Sequence, residues 1–230
     1  MRADPRLIVG LDLPSADTAR AMVARLGEAV TAYKVGLTLL STPDGVRLAH
    51  ALRDQGKRVF QDWKLHDIGA QVEGAARLIA EGGCDLLTVH AEPQVMAAAV
   101  KGRGSSATKI LAVTVMTSLS DADLREIGYV AGAAELVQRR VRQAIDAGCD
   151  GVVASAKEAV RVREIVGDGF LIVTPGIRPT GADVGDQRRV ATPAEALRAG
   201  ATHLVVARPV IAAADPVEAA AAILREMAAA

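Results

Sequence analysis

The sequence predicts an α/β chain folded as a single (β/α)8 TIM barrel over residues 1–230. Three observations carry that expectation. Eight short runs rich in Val, Ile and Leu alternate with Ala-, Arg- and Glu-rich segments of helical character, the pattern of parallel strands covered on both faces. The junctions EGGCDLLTVHA, DAGCDGVVASA and RAGATHLVVAR align on Gly83, Gly148 and Gly200, each placed to end a helix in the left-handed conformation before a strand begins. No GxGxxG turn interrupts the alternation, which favours a closed barrel over an open doubly wound sheet.

In chain order the runs are LIVGLDL (7–13), AYKVG (32–36), RVFQDWKL (58–65), LLTVHA (86–91), KILAVTVM (109–116), GVVASA (151–156), FLIVTPGI (170–177) and HLVVARPV (203–210). The long interval between the fifth and sixth leaves room for an extra helical piece around SLSDADLREIG. Thr192-Pro193-Ala194-Glu195 and Asp215-Pro216-Val217-Glu218 read as helix starts, with proline just inside the cap and an acid placed to return to the cap amide. The stretch RPTGADVGDQRRVATP (178–193) is long, rich in Gly and Asp, and without helical pattern, as a lid over a site would be. The Ala-rich AAAAILREMAAA reads as the closing helix.

Charge is balanced, with 27 basic and 27 acidic residues. That argues against nucleic acid or a membrane surface as the main partner, since both call for a basic excess. Cys84 and Cys149 belong to no CxxC and have no nearby pair of histidines, so they read as small buried residues in a reducing compartment rather than as metal ligands. A charged leader with a long apolar core and a membrane-length apolar run are both missing, and a cytoplasmic protein is expected.

The polar residues inside the strand pattern gather at one end. Asp12 ends the first run, Lys34 lies in the second, Asp62 and Lys64 in the third, and His90 ends the fourth; Thr117 and Ser118 follow the fifth. Ser155 is near the end of the sixth, Gly176 and Arg178 follow the seventh, and Arg208 the eighth. Barrel enzymes place their chemistry at the C-terminal ends of the strands and often hold phosphate after the last two. An isolated DxK is equally compatible with a structural ion pair. Lys34 on the adjacent strand turns the pair into an alternating charge network, and only six lysines occur in the chain. Removing such charges from water costs several kcal/mol per ion, to order of magnitude, so the cluster needs a reason beyond packing. Thr117 and Ser118 are candidates either for capping the next helix or for the amide edge of a base. Arg178 with Arg208 forms a candidate phosphate clamp, Gln187 in the lid can reach over a ligand, His90 reads as structural, and His50 and His203 as peripheral.

These residues fall in motifs that resemble orotidine 5'-monophosphate decarboxylase, compact bacterial form, over essentially the whole length: VGLDLP, YKVGLTLL, DWKLHDI in the place of D-x-K-x-x-D, VTVMTSL, VVASAKEAVRVR, TPGIRP, GDQRRVATP and ARPV. The resemblance implies decarboxylation of orotidine 5'-monophosphate to uridine 5'-monophosphate in de novo pyrimidine biosynthesis, with neither metal nor organic cofactor. It implies Lys64 as proton donor to C6, Asp62 beside the departing carboxylate, Lys34 bridging network and ribose, and Asp12 on the ribose hydroxyls. Thr117 and Ser118 would contact the pyrimidine, and Arg178, Gln187 and Arg208 the 5'-phosphate. It further implies a homodimer in which Asp67 and Ile68 enter the partner's site.

Two departures stand out. The family usually continues D-I-P-N-T, whereas this chain has Asp67-Ile68-Gly69-Ala70-Gln71, so the amide of Gln71 replaces a threonine hydroxyl. Ala207 stands where glycine commonly precedes the last arginine, narrowing the backbone approach to phosphate. A magnesium-dependent sugar-phosphate relative would place a glutamate where Lys34 stands, and an ammonium there repels a divalent cation. A phosphate or nucleotide sensor that kept the barrel without the chemistry is the other alternative.

Overall fold

The computed structural model describes residues 3–180 and 191–230. Eight parallel strands close into a barrel in sequence order: β1 (Leu7–Gly10), β2 (Ala32–Gly36), β3 (Arg58–Leu65), β4 (Leu86–His90), β5 (Lys109–Val113), β6 (Gly151–Val153), β7 (Leu171–Thr174) and β8 (His203–Val206), with β8 pairing back onto β1. The (β/α)8 expectation holds, and β2 and β3 have the expected limits. Most other strands stop earlier than their apolar runs. Val115, Ala154 and Ile177 lie beyond the named strands yet are buried, Ala154 still donating to Val173 O and Ile177 bridging to Ala191; burial extends the apolar pattern past the regular ladder.

Helices cover the outside. Two apolar clusters lie between strands and helices, and Trp63 packs against both. The expected insertion between β5 and β6 is the helix Asp121–Glu126. It is capped by Ser120, whose hydroxyl accepts from Asp123 N while the Asp123 carboxylate accepts from Ser120 N at 2.7 Å, so neither Thr117 nor Ser118 is the cap. Gly83, Gly148 and Gly200 have φ of 81°, 78° and 102°, the left-handed helix ends the repeated junction requires. Thr192 and Glu195 form the anticipated reciprocal cap. At Asp215 only half of it forms: the aspartate accepts from Val217 N and Glu218 N, but Glu218 turns instead to Arg225 at 2.5 Å. The closing helix runs Pro216–Ala228. Among the described residues no helix is long and apolar enough to cross a membrane.

Candidate active site

Period-two alternation fixes what the barrel interior contains. Ile8, Ala32, Phe60, Leu86, Leu111, Val173 and Val205 form one apolar layer across it. Two residues further toward the C-terminal ends, the same faces carry Gly10, Lys34, Asp62, Thr88 and Val113. The barrel is therefore apolar at its base and charged at its mouth.

Asp62, only 8 % exposed, is the centre of the charged layer. Its Oδ2 takes both ammonium groups, Lys64 Nζ at 2.7 Å and Lys34 Nζ at 3.3 Å, while Oδ1 accepts from the Thr88 hydroxyl at 2.8 Å. Lys34 Nζ also donates to Asp12 Oδ1 at 3.0 Å. Burial pushes the Asp62 carboxyl up, but the Lys34 and Lys64 charges and the hydrogen bonds from Lys64 and Thr88 outweigh it and hold the group below the usual carboxylate value. Burial likewise opposes the Lys34 charge, and Asp62 and Asp12 overcome it, raising that lysine above its ordinary value. Asp62 and Lys34 both stay ionised at neutral pH. Two glycines make room for them: a Cβ on Gly36 would lie 3.0 Å from Asp12 Oδ1 and 3.2 Å from Lys34 Nζ, and one on Gly10 would lie 3.4 Å from Lys34 Cε.

Lys64 is held by an irregular backbone. Pairing of β3 with β4 passes from Gln61↔Leu87 to Leu65↔Val89, so four steps on one strand oppose two on the other, a bulge of the kind that re-aims a side chain. Lys64 is the one non-glycine residue with positive φ among the described residues, at 49°. Its N–H donates to Thr88 Oγ1 at 3.0 Å, and its side chain reaches Asp62 along the inner face as alternation predicts. Trp63 points outward, its indole N–H donating to Gln61 Oε1 at 2.9 Å.

Above this layer opens a cavity of about 630 Å³. Asp12, Lys34, Asp62 and Lys64 line it together with Thr117 and Ser118 after β5, Arg178 after β7 and Arg208 after β8. The structure thus brings these eight expected residues, together with Gly176 and Ala207, to one chamber. Arg178 is buried, with Nη1 donating to Ile177 O at 2.9 Å and its backbone N–H to Ala191 O at 3.0 Å. Arg208 opens the four-residue helix Arg208–Ile211. Ala207 also lines the cavity, and a Cβ on Gly10 would sit 3.0 Å from its Cβ; the glycine on β1 accommodates the alanine on β8.

Other expected residues lie apart. Asp67 is exposed and its carboxylate accepts from Ile68 N at 2.6 Å, Ile68 is 67 % exposed, and Gln71 is exposed on the following helix. None of the three lines the chamber. Gln187 lies outside the described residues, as does most of the expected lid. Ser155 is not a chamber residue but the cap of Ala156–Val166, its hydroxyl donating to Glu158.

Two features escape the sequence. Thr88, fully buried, joins Asp62 to the Lys64 backbone; its only sequence signal is inward register on β4. His66 and His90, 24 positions apart, stand with ring centroids 4.8 Å apart, a histidine pair absent from the sequence neighbourhoods of Cys84 and Cys149. Both thiols are buried, and burial pushes each up to about 12, in keeping with inert structural residues.

Residues 5–223 match the family described as Orotidine 5'-phosphate decarboxylase / HUMPS family. An orotidine 5'-phosphate decarboxylase of Caulobacter vibrioides is 64 % identical over 232 residues, covering 99 % of each chain, and one of Rhodopseudomonas palustris is 54 % identical, covering 99 % of this chain and 96 % of the relative. The crystal structure of orotidine 5'-phosphate decarboxylase from Lactobacillus acidophilus superposes with a TM-score of 0.85 at 36 % identity, covering 97 % of this chain and 99 % of that one. With its charged layer, its chamber and its full-length match, the chain belongs to the orotidine 5'-phosphate decarboxylase / HUMPS family.

Proposed function

We propose that this chain is a carboxy-lyase that converts orotidine 5'-monophosphate to uridine 5'-monophosphate and CO2, without metal or organic cofactor, as a step of pyrimidine nucleotide synthesis. The observation that carries the reading is Asp62 clamped between two ammonium groups on the floor of a chamber whose rim bears two guanidiniums.

The chemistry follows from those groups. Heterolysis of the C6–carboxylate bond leaves the electron pair on C6, and no delocalising group takes it up. The site must favour that charge by electrostatics fixed in advance. Lys64, hydrogen-bonded to Asp62, stabilises the pair and then transfers a proton to C6. Asp62 lies beside the departing carboxylate, Lys34 ties the network to the ribose, and Asp12 binds ribose hydroxyls. Thr117 and Ser118 contact the pyrimidine. Arg178, Gln187 and Arg208 hold the 5'-phosphate, so binding energy remote from C6 assists the reaction.

We infer a homodimer in which Asp67 and Ile68 complete the partner's site. Their exposure, and the absence of both from the lining of their own chain's chamber, support that arrangement. Incubation with orotidine 5'-monophosphate in chelator tests the reading. Stoichiometric uridine 5'-monophosphate is expected; tight binding without product would favour a nucleotide sensor, and activity dependent on added magnesium would favour the metal-dependent relatives.

A further inference from the structure

Just beyond β3 and at the C-terminal end of β4, His66, His90 and Glu92 present one ligand atom each, all within 4.8 Å of one another. His66 follows the bulge of β3, His90 ends β4, and Glu92 immediately precedes the next helix, Pro93–Arg103, without capping it through its side chain. Strand pairing is what assembles them.

The spacing suits a metal. His66 Nε2 and Glu92 Oε2 are 3.5 Å apart, close to the roughly 3.4 Å edge of a tetrahedron with bonds of about 2.1 Å. Small side-chain rotations bring the widest pair, 4.8 Å, to the same edge. Glu92 Oε2 is buried and makes no hydrogen bond, an unmet acceptor that carries a cost unless something occupies it. The other oxygen, Oε1, is fixed by Arg140 Nη2 at 3.1 Å. Arg140 is in turn shared with the Tyr129 hydroxyl and Thr114 O. The carboxylate is thereby oriented, as ligating carboxylates generally are by an outer partner.

We propose that His66, His90 and Glu92 form a three-ligand site for a late first-row divalent cation such as Zn2+. Two imidazoles and one carboxylate favour zinc, copper or nickel over magnesium or calcium, which prefer all-oxygen shells. Arg140 and Lys64 are nearby cations that temper the affinity, and Glu92 offsets only one of them. Micromolar binding, in order of magnitude, is therefore expected rather than the tighter grip of a closed structural site. The site is separate from the chemistry at C6, which runs without it.

Calorimetric titration of the chelator-treated, full-length protein with Zn2+ tests the proposal, with Co2+ absorption reporting tetrahedral geometry. One cation per chain is expected, weakened at least about tenfold by His66→Ala and by His90→Ala and unchanged by His50→Ala. His66 is exposed in the single chain, and circular dichroism with size-exclusion chromatography checks the fold and assembly of each variant. No saturable binding, or binding that survives both His66→Ala and His90→Ala, overturns the site.

Discussion

The Thr88 hydroxyl donates to Asp62 Oδ1 at 2.8 Å while the same oxygen accepts from the Lys64 N–H at 3.0 Å. One buried side chain on β4 thus fixes both members of the DxK pair, the carboxylate by its free oxygen and the lysine by its backbone. Thr88 does not line the chamber; under the proposed mechanism it is a positioning residue.

Replacement of Thr88 by valine keeps the shape and removes both bonds. Leaving a buried carboxylate oxygen and a backbone N–H unmet costs about 1–3 kcal/mol of stability. We expect kcat to fall about tenfold or more with KM little changed, since displacement of Lys64 affects the transition state and not phosphate binding. Thr88→Ser should restore most of the loss. Equal effects on kcat and KM in steady-state kinetics, or no rescue by serine, would reduce Thr88 to packing.

The φ of 49° at Lys64 separates function from stability. Lys64→Gly and Lys64→Ala both delete the ammonium, so both should lose activity. Glycine adopts this backbone without the Cβ penalty, and the glycine variant should be more stable than the alanine variant by about 1 kcal/mol in urea denaturation. The reverse order would show that the backbone there is unstrained.

If Asp67 serves the partner's site, two inactive chains can repair each other. Co-refolding Lys64→Ala with Asp67→Ala yields mixed dimers that hold one intact site and one doubly damaged site. About a quarter of wild-type activity is expected when subunits assort at random. Failure of the mixture to exceed either parent would place Asp67 in its own chain's site or outside the chemistry.

His203, at the start of β8 and the opposite end of the barrel, predicts a stability effect unconnected with turnover. Burial, then the nearby Arg58, pushes it down to about 4, against an ordinary value of 6.5. The unfolded chain therefore binds a proton between those values that the folded chain refuses, and stability declines as pH falls from 6.5 toward 4. The deficit reaches about 2 kcal/mol at pH 5, to order of magnitude. His203→Gln should flatten that limb of the denaturation midpoint against pH; an unaltered limb would locate the acid sensitivity elsewhere.

The barrel was legible because its strands must be apolar on both faces and its helices must end in glycine, and both demands are written locally. Asp62, Lys64 and Lys34 were legible because a charge in such a strand conflicts with burial. Strand ends were not, since Val115, Ala154 and Ile177 are buried beyond the named strands. Thr88 was hidden because threonine in a strand usually reflects β-propensity, and only the register against β3 reveals its partners. His66 and His90 meet through the same pairing. The Asp215 cap departed from expectation because Arg225, seven residues on from Glu218, competes for that carboxylate. Gln187 falls outside the described residues.

The most direct test of the central claim follows orotidine 5'-monophosphate by its ultraviolet absorbance in chelator, with the native chain beside Lys64→Ala. The account predicts steady conversion by the native protein and a fall of at least about 10³-fold in the variant, the loss of both electrostatic stabilisation and proton delivery. Conversion by Lys64→Ala at the native rate would contradict it.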